Sequence, residues 1–260
     1  MDLNDAVAIV TGGARGIGRG IALSLAREGA HVAIADLPAV RGEAEQTKSE
    51  IEGLGRKALL VDVDVTDESQ VQAMASTVLS ELGSIDVLVN NAGVILVAPV
   101  PVMDEDTWDL IFDVNVKGTF LCSKAVAQHM IAKQRGRIIN LASMAGKTGA
   151  GGVSAYCASK FAVIGFTQSL AHEMAPFNVT VNAICPGEVK TYMWDQVLSP
   201  TIAAARGGSP DEAFEGFIKE RVPLGRPQTA DDIGQCAVYL CRADNVTGEA
   251  INVTGGSEMH

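Results

Sequence analysis

Ser143, Tyr156 and Lys160 are the residues of this chain whose types and spacing suggest proton chemistry. With residues 155–172 helical, Tyr156 and Lys160 stand one turn apart on one face. An ammonium within about 4 Å of a phenol oxygen favours phenolate by roughly 4 kcal/mol at an effective dielectric near 20. That is about three pKa units, enough to bring a tyrosine from ~10 toward ~7. A phenol tuned in this way can exchange a proton near neutral pH, as carbonyl reduction or alcohol oxidation requires. The Tyr-x-x-x-Lys spacing is also what an ordinary amphipathic helix presents, so its meaning depends on the rest of the chain.

The N-terminal segment supplies that context. Residues 6–10 are a short apolar run bounded by turn residues, as in a strand buried on both faces of a parallel sheet. Thr11, Gly12, Gly13, Ala14, Arg15, Gly16, Ile17 and Gly18 follow directly. Glycines let the backbone turn sharply and approach a ligand, and a helix over residues 17–28 aims free N–H groups at a pyrophosphate. Residues 31–35 read as the second strand and end at Asp36, eighteen residues beyond Gly18, near the acidic position of a dinucleotide fold. A carboxylate there accepts both hydroxyls of an adenosine ribose and repels a 2′-phosphate, which favours NAD over NADP. Arg15 pulls the other way, since a guanidinium in the phosphate loop can pair with a 2′-phosphate. Repulsion at the ribose is harder to evade than an optional contact is to gain.

At 260 residues the chain accommodates one well-buried α/β domain, residues 1–260, and no second full domain. A hydrophobic content of 47% suits a sheet covered on both faces, and a net charge of −11 argues against nucleic acid and anionic membrane as partners. No apolar stretch approaches eighteen residues, and acid rather than basic residues follow Met1, so a cytoplasmic protein is expected. The five cysteines, Cys122, Cys157, Cys185, Cys236 and Cys241, are odd in number, form no C-x-x-C pair and sit in apolar segments, which reads as reduced core thiols. His31, His129, His172 and His260 lack ligand spacing, and no metal site is expected.

Strands and helices keep alternating after Asp36: helix 41–54, strand 57–65, helix 67–82, strand 85–90, a long helical segment 107–133 and strand 137–142. This order predicts a doubly wound parallel sheet of about seven strands, a single-domain Rossmann fold with helices on both faces. Ser143 then falls at the carboxyl end of a strand, the edge where open α/β sheets bind ligands. A strand over 179–184 runs into Pro186-Gly187, and the periodicity then weakens. Residues 192–226, rich in glycine and proline, read as short helices on flexible joints, a lid over the substrate. A helix over 229–241 and a strand over 250–253 complete the chain.

Together these features resemble a short-chain dehydrogenase/reductase over essentially the whole length. T-G-x-x-x-G-x-G stands as Thr11 to Gly18, the adenine-side D-V as Asp64 and Val65, and N-N-A-G as Asn90, Asn91, Ala92 and Gly93. Asn115, Ser143, Tyr156, Lys160 and the turn from Pro186 to Thr191 follow in order. The resemblance implies Tyr156 as acid/base, Ser143 holding the substrate oxygen, and Lys160 lowering the tyrosine pKa and binding the nicotinamide ribose. Asn115 is implied to bend its helix and to position a water relaying protons to Lys160. Asn91, Val189 and Thr191 line the cofactor, with main-chain groups of Pro186 and Gly187 near the carboxamide.

Within the family, Asp36 and the run Pro-Gly-Glu-Val-Lys-Thr-Tyr-Met-Trp resemble NAD-linked enzymes acting on polyols, diols and acyloins. Glu188, facing the cleft, could accept a hydrogen bond from a substrate hydroxyl, or it could pair with Lys190 or Arg226; Trp194 is a further substrate candidate. An NADPH-dependent 3-oxoacyl-thioester reductase is the alternative, and a non-catalytic nucleotide-sensing regulator is a third. Such proteins commonly form homotetramers through the long helices, and Phe120, Val126, Met130, Phe161, Ile164 and Phe166 exceed what one helix face need bury internally.

Overall fold

The computed structural model describes residues 1–260, except the side chains of Ser199, Ile202, Ala205 and Arg206. Strands β1 (Val7–Thr11), β2 (His31–Asp36), β3 (Ala58–Asp62), β4 (Val87–Asn90), β5 (Gly136–Leu141), β6 (Val179–Pro186) and β7 (Ala250–Val253) form one sheet. Their order is β3-β2-β1-β4-β5-β6-β7, and every pairing is parallel. This is the doubly wound arrangement expected. The helices are α1 (Gly16–Arg27), α2 (Arg41–Gly53), α3 (Glu68–Leu82), α4 (Glu105–Phe112), α5 (Gly118–Lys133), α6 (Ser154–Met174), α7 (Ser199–Arg206), α8 (Pro210–Arg221) and α9 (Ala230–Arg242).

Alternation explains why β1 reads as a continuous apolar run. Ala8 and Val10 enter the core beneath α1, α2 and α9, whereas Val7 and Ile9 enter the core beneath α3, α5 and α6. Two glycines let α1 and α9 approach closely: a Cβ on Gly20 would lie 2.6 Å from the Ala230 Cβ, and one on Gly234 would lie 2.1 Å from the Ser24 hydroxyl. Side chains fix the helix starts, with Asp67 accepting from the Ser69 and Gln70 amides and Thr229 forming a capping box with Asp232.

Three expectations need correction. Residues 107–133 are not one regular helix, because a single wide π turn, Asp113–Lys117, separates α4 from α5. Its cause is tertiary: the buried Asn115 amide is engaged by neighbouring elements. Strand β3 is shorter than its apolar run, since Asp64 accepts from the Thr66 amide and hydroxyl and turns the chain toward α3. Val126 and Met130 are fully buried in the core, whereas Phe120 and Phe161 remain 45% and 48% exposed.

The sheet order reverses between β1 and β4, so a crevice opens at their carboxyl ends. Beyond β6, a π turn (Trp194–Leu198), α7 and α8 form an excursion outside the sheet. Trp194 anchors it against Phe214 and Phe217, with ring centres 5.2 and 5.3 Å away. Among the described residues no helix is long and apolar enough to cross a membrane.

Candidate active site

The crevice is a cleft of about 350 Å³ running from Asp36 past the glycine turn to Tyr156 and Lys160. Midway along it Gly12 adopts φ +62°, and a Cβ there would sit 2.8 Å from the Asn91 amide nitrogen. Gly18 is tighter, since its Cβ would meet the Gly12 carbonyl at 2.1 Å. Asn91 donates to the Thr11 and Gly12 carbonyls, both at 2.9 Å, which fixes the turn. Helix α1 starts there with no capping side chain and no acid in its first turn. An N-terminus left uncapped at a cleft, with glycines permitting close approach, fits a pyrophosphate.

Asp36 closes the far end. Its two oxygens accept from the Ala14 and Leu37 amides at 3.0 and 2.9 Å, so each retains a lone pair for a ribose hydroxyl. Arg15, Gly16, Ile17, Asp64 and Val65 line the same cleft, as do Ala92, Gly93 and Thr191. Gly18 lies beneath the turn, whereas Pro186 ends β6, the Gly187 amide donates to the Val253 carbonyl, and Val189 is buried in the core beside Gln228, so these three do not line the cleft. The Arg15 guanidinium stacks on the Tyr192 ring at 4.0 Å and lies 3.4 Å from Glu43. It is therefore turned toward the start of the excursion that follows β6.

Tyr156 and Lys160 stand at the other end. Ser143 is extended just past β5, its hydroxyl accepting from the Ala145 amide at 3.1 Å. Tyr156 and Lys160 project from α6, and the Tyr156 hydroxyl lies next to Ser143. Lys160 Nζ donates to the Leu141 carbonyl at 2.8 Å and lies 5.6 Å from the Tyr156 ring centre. Gly93 allows this arrangement, because a Cβ there would press on Asn115 Oδ1 at 3.2 Å and Lys160 Nζ at 3.5 Å.

Asn115 is the bridge. It accepts from the Val94 amide at 2.8 Å and donates to the Val94 carbonyl and Ser159 hydroxyl, both at 3.0 Å. Its own carbonyl accepts from Thr119, and Ser159 donates to the Tyr156 carbonyl at 2.7 Å. The chain of bonds continues into the sheet through Ser123, Asn90, Asn140 and Thr167. The Asn115 amide is thus committed to protein partners.

Burial dominates the titration of the pair. It pushes the Tyr156 phenol up to about 12, countered in part by the Ser143 hydrogen bond, and brings Lys160 down to about 8. A tyrosine drawn toward 7 by a lysine at 4 Å is therefore not what the fold produces, since Lys160 is anchored instead on Leu141.

Glu188 also departs from expectation. It is 2% exposed, one oxygen accepts from Ser257 at 3.2 Å, and the other has no hydrogen-bond partner among the described residues. Lys190 pairs with Asp211 and Arg226 with Asp232, so neither predicted ion pair forms. Burial raises the Glu188 pKa. Trp194 packs with Phe214, Phe217, Ile218 and Val222 rather than lining the cleft. Two residues escaped the sequence reading: Tyr192, signalled only by following Thr191, and Ser159, three positions after Tyr156. Among the described residues no group of His, Cys, Asp or Glu could hold a metal ion.

The short chain dehydrogenase family model matches residues 6–201. Galactitol 2-dehydrogenase of Agrobacterium fabrum is 42% identical over 262 residues, covering 100% of both chains. L-2,3-butanediol dehydrogenase of Corynebacterium glutamicum is 39% identical, covering 96% of this chain and 97% of that one. The structure of NAD+-bound xylitol dehydrogenase superposes with a TM-score of 0.90 at 33% identity, over 98% of this chain and 100% of that one. A glycine turn, an acid closing β2 and the Tyr156–Lys160 pair on one cleft thus accompany similarity along the whole chain, which belongs to the short-chain dehydrogenase/reductase family of oxidoreductases.

Proposed function

We propose that this protein is an NAD-dependent dehydrogenase of a secondary alcohol, a small polyol, vicinal diol or acyloin, with Tyr156 carrying the proton. The observation behind this reading is the continuity of one cleft from Asp36 through the Gly12 turn to Tyr156. Asp36 holds the adenosine ribose, Asp64 and Val65 flank the adenine, and α1 receives the pyrophosphate. Asn91 and Thr191 border the nicotinamide, and Lys160 binds its ribose. Bound there, a nicotinamide dinucleotide would supply the hydride acceptor or donor for the carbinol carbon.

Ser143 orients the substrate oxygen, and Tyr156 Oη takes its proton on oxidation or returns it on reduction. A pair that loses one proton near 8 can be written as phenolate beside ammonium or phenol beside amine, two arrangements of the same charge. Either gives Tyr156 access to a base near neutral pH. Asn115 positions α6 against β4 through Ser159 and Val94. The segment 192–226 serves as a lid, and the assembly is a cytoplasmic homotetramer whose contacts include Phe120 and Phe161. The galactitol, butanediol and xylitol enzymes named above support the choice of substrate class.

The test compares NADH with NADPH at equal concentration, and wild type with Tyr156→Phe. NADH is expected to be preferred at least tenfold, and the variant should lose about 10²–10⁴ in kcat while still binding NADH. A strong NADPH preference would remove Asp36 from this role and favour the thioester reductase. Undiminished turnover by Tyr156→Phe would overturn the proton assignment.

A further inference from the structure

We infer that Tyr192 and Glu43 are specificity-determining residues for the dinucleotide, because they hold the Arg15 guanidinium between them and so withhold it from a 2′-phosphate. This deepens the NAD reading and rests on it. Asp36 alone does not complete that reading, since the ribose end of the cleft also carries cations. The Ala14 amide donates to Asp36 at 3.0 Å, so Arg15, the next residue, stands on the same turn and lines the same cleft. A guanidinium at that place is a natural partner for a phosphate monoester.

In the structure the guanidinium is engaged on two sides. Its carbon lies 4.0 Å from the centre of the Tyr192 ring, and one of its nitrogens lies 3.4 Å from a Glu43 carboxylate oxygen. Among the described residues its ion pair is with Glu43, and none forms with Asp36. Both partners are held in place by further contacts. Thr47, one helical turn beyond Glu43 on α2, donates to the Ala14 carbonyl at 2.8 Å and seats that face of the helix against the glycine turn. Thr191 packs at Gly16, where a Cβ would lie 3.6 Å from its methyl carbon, and this sets Tyr192 beside Arg15. Arg41 is treated alike. It donates to Asp62 at 2.9 Å and to Glu45 at 3.3 Å, and Asp62 is the β3 partner of Asp36. Each of these arginines is thus met by protein groups before a ligand arrives.

A cation–π contact at an exposed site and a surface ion pair are each worth about two- to fivefold in an equilibrium. The ring draws the guanidinium toward the excursion after β6, and Glu43 takes up one of its edges. A 2′-phosphate gains Arg15 only by undoing one or both contacts, and it meets the Asp36 carboxylate as well. NAD presents a hydroxyl at that position and makes no such exchange. The two contacts therefore add discrimination to the repulsion by Asp36.

The experiment titrates NADH and NADPH, followed by their fluorescence, into wild type, Tyr192→Leu, Tyr192→Phe and Glu43→Gln, and reads the ratio of Kd for NADPH to Kd for NADH. Both side chains are exposed, so the variants keep the fold. Wild type should give a ratio of at least about ten. Tyr192→Leu and Glu43→Gln should each lower it about threefold and the double variant about tenfold, whereas Tyr192→Phe, which keeps the ring, should hold it within about 1.5-fold. In an Arg15→Ala background neither Tyr192→Leu nor Glu43→Gln should move the ratio by more than about 1.5-fold, because the cation on which both act is gone. A wild-type preference for NADH that neither single variant moves would overturn the inference and leave the NAD reading standing. An equal fall with and without Arg15, or an equal fall in Tyr192→Phe and Tyr192→Leu, would also overturn it. A wild-type ratio at or below one would strike the NAD reading itself, and failure to bind either dinucleotide would count against the dehydrogenase reading; both remove the ground of this inference.

Discussion

The two sides of the cleft are held by different kinds of force. On the sheet side, Tyr156 and Asn115 belong to a buried chain of hydrogen bonds running back to Thr167 through Ser159, Thr119, Ser123, Asn90 and Asn140. Hydrogen bonds are directional, and leaving any member unpaired costs about 1–3 kcal/mol, so positions along this chain are sharply defined. On the lid side, Trp194 packs on Phe214, Phe217, Ile218 and Val222, while Lys190–Asp211 is an exposed pair of little worth. A stack of Arg15 on Tyr192 ties the start of the excursion after β6 to the glycine turn. Non-directional packing tolerates exchange of one apolar side chain for another. A scaffold built this way can keep its proton chemistry fixed while what it accepts is altered from the lid.

Removing the lysine from the directional side should have the largest effect. Lys160→Met leaves a lone buried phenol pushed up to about 12, without a partner that loses its proton at about 8. For wild type, kcat/KM for alcohol oxidation should rise about tenfold per pH unit and level off near 8. In the variant that rise moves beyond the accessible alkaline range, and kcat at pH 7.5 falls about 10³–10⁴-fold. A pH profile still bending near 8 in Lys160→Met would assign that titration to another group and dissolve the pairing.

The matching change on the lid side is Trp194→Ala. Truncating a buried tryptophan costs about 3–5 kcal/mol, here confined to an excursion outside the sheet. KM for the alcohol should rise about ten- to a hundredfold, while NADH affinity, followed by its fluorescence, changes no more than about threefold. Loss of NADH binding in parallel would show that the two regions are one cooperative unit, contrary to the contrast drawn above.

The same contrast decides what could be read from the chain. The glycine turn, the strand ending at Asp36 and the i, i+4 pairing of Tyr156 with Lys160 are local signals, since period, glycine and spacing are all present within twenty residues. Seven strands in alternation with helices followed from the same signals. The bend at Asn115 was legible only through the family resemblance, because its cause is a pair of bonds to Val94 and Ser159, distant in sequence. Glu188 was misplaced for a similar reason: it looks like a polar residue at a strand end, yet Ser257 and the last turn of the chain close over it. The tyrosine pKa was misjudged because spacing along a helix says nothing of burial, and burial is its largest cause.

Glu188 sits at the seam between the two regions and carries the smallest effect. Its carboxyl is buried with one oxygen unpartnered among the described residues, and its pKa in the fold is raised by that burial. The folded state therefore holds this proton more tightly than the unfolded chain. The penalty is absent below the unfolded value of about 4.3, grows as pH rises toward the folded value, and is complete above it. Glu188→Gln removes the charge and keeps the shape, so it should stabilise the protein by about 1 kcal/mol at pH 7.5, or about 2–4 °C in Tm. That advantage should close as the pH falls to about 4. Because Glu188 faces Ser257 rather than the cleft, kcat/KM for diols and simple secondary alcohols should stay within about twofold of wild type. Equal melting temperatures at both pH values would mean the buried carboxylate is solvated or paired in solution. A selective loss of activity toward polyols would return Glu188 to the substrate.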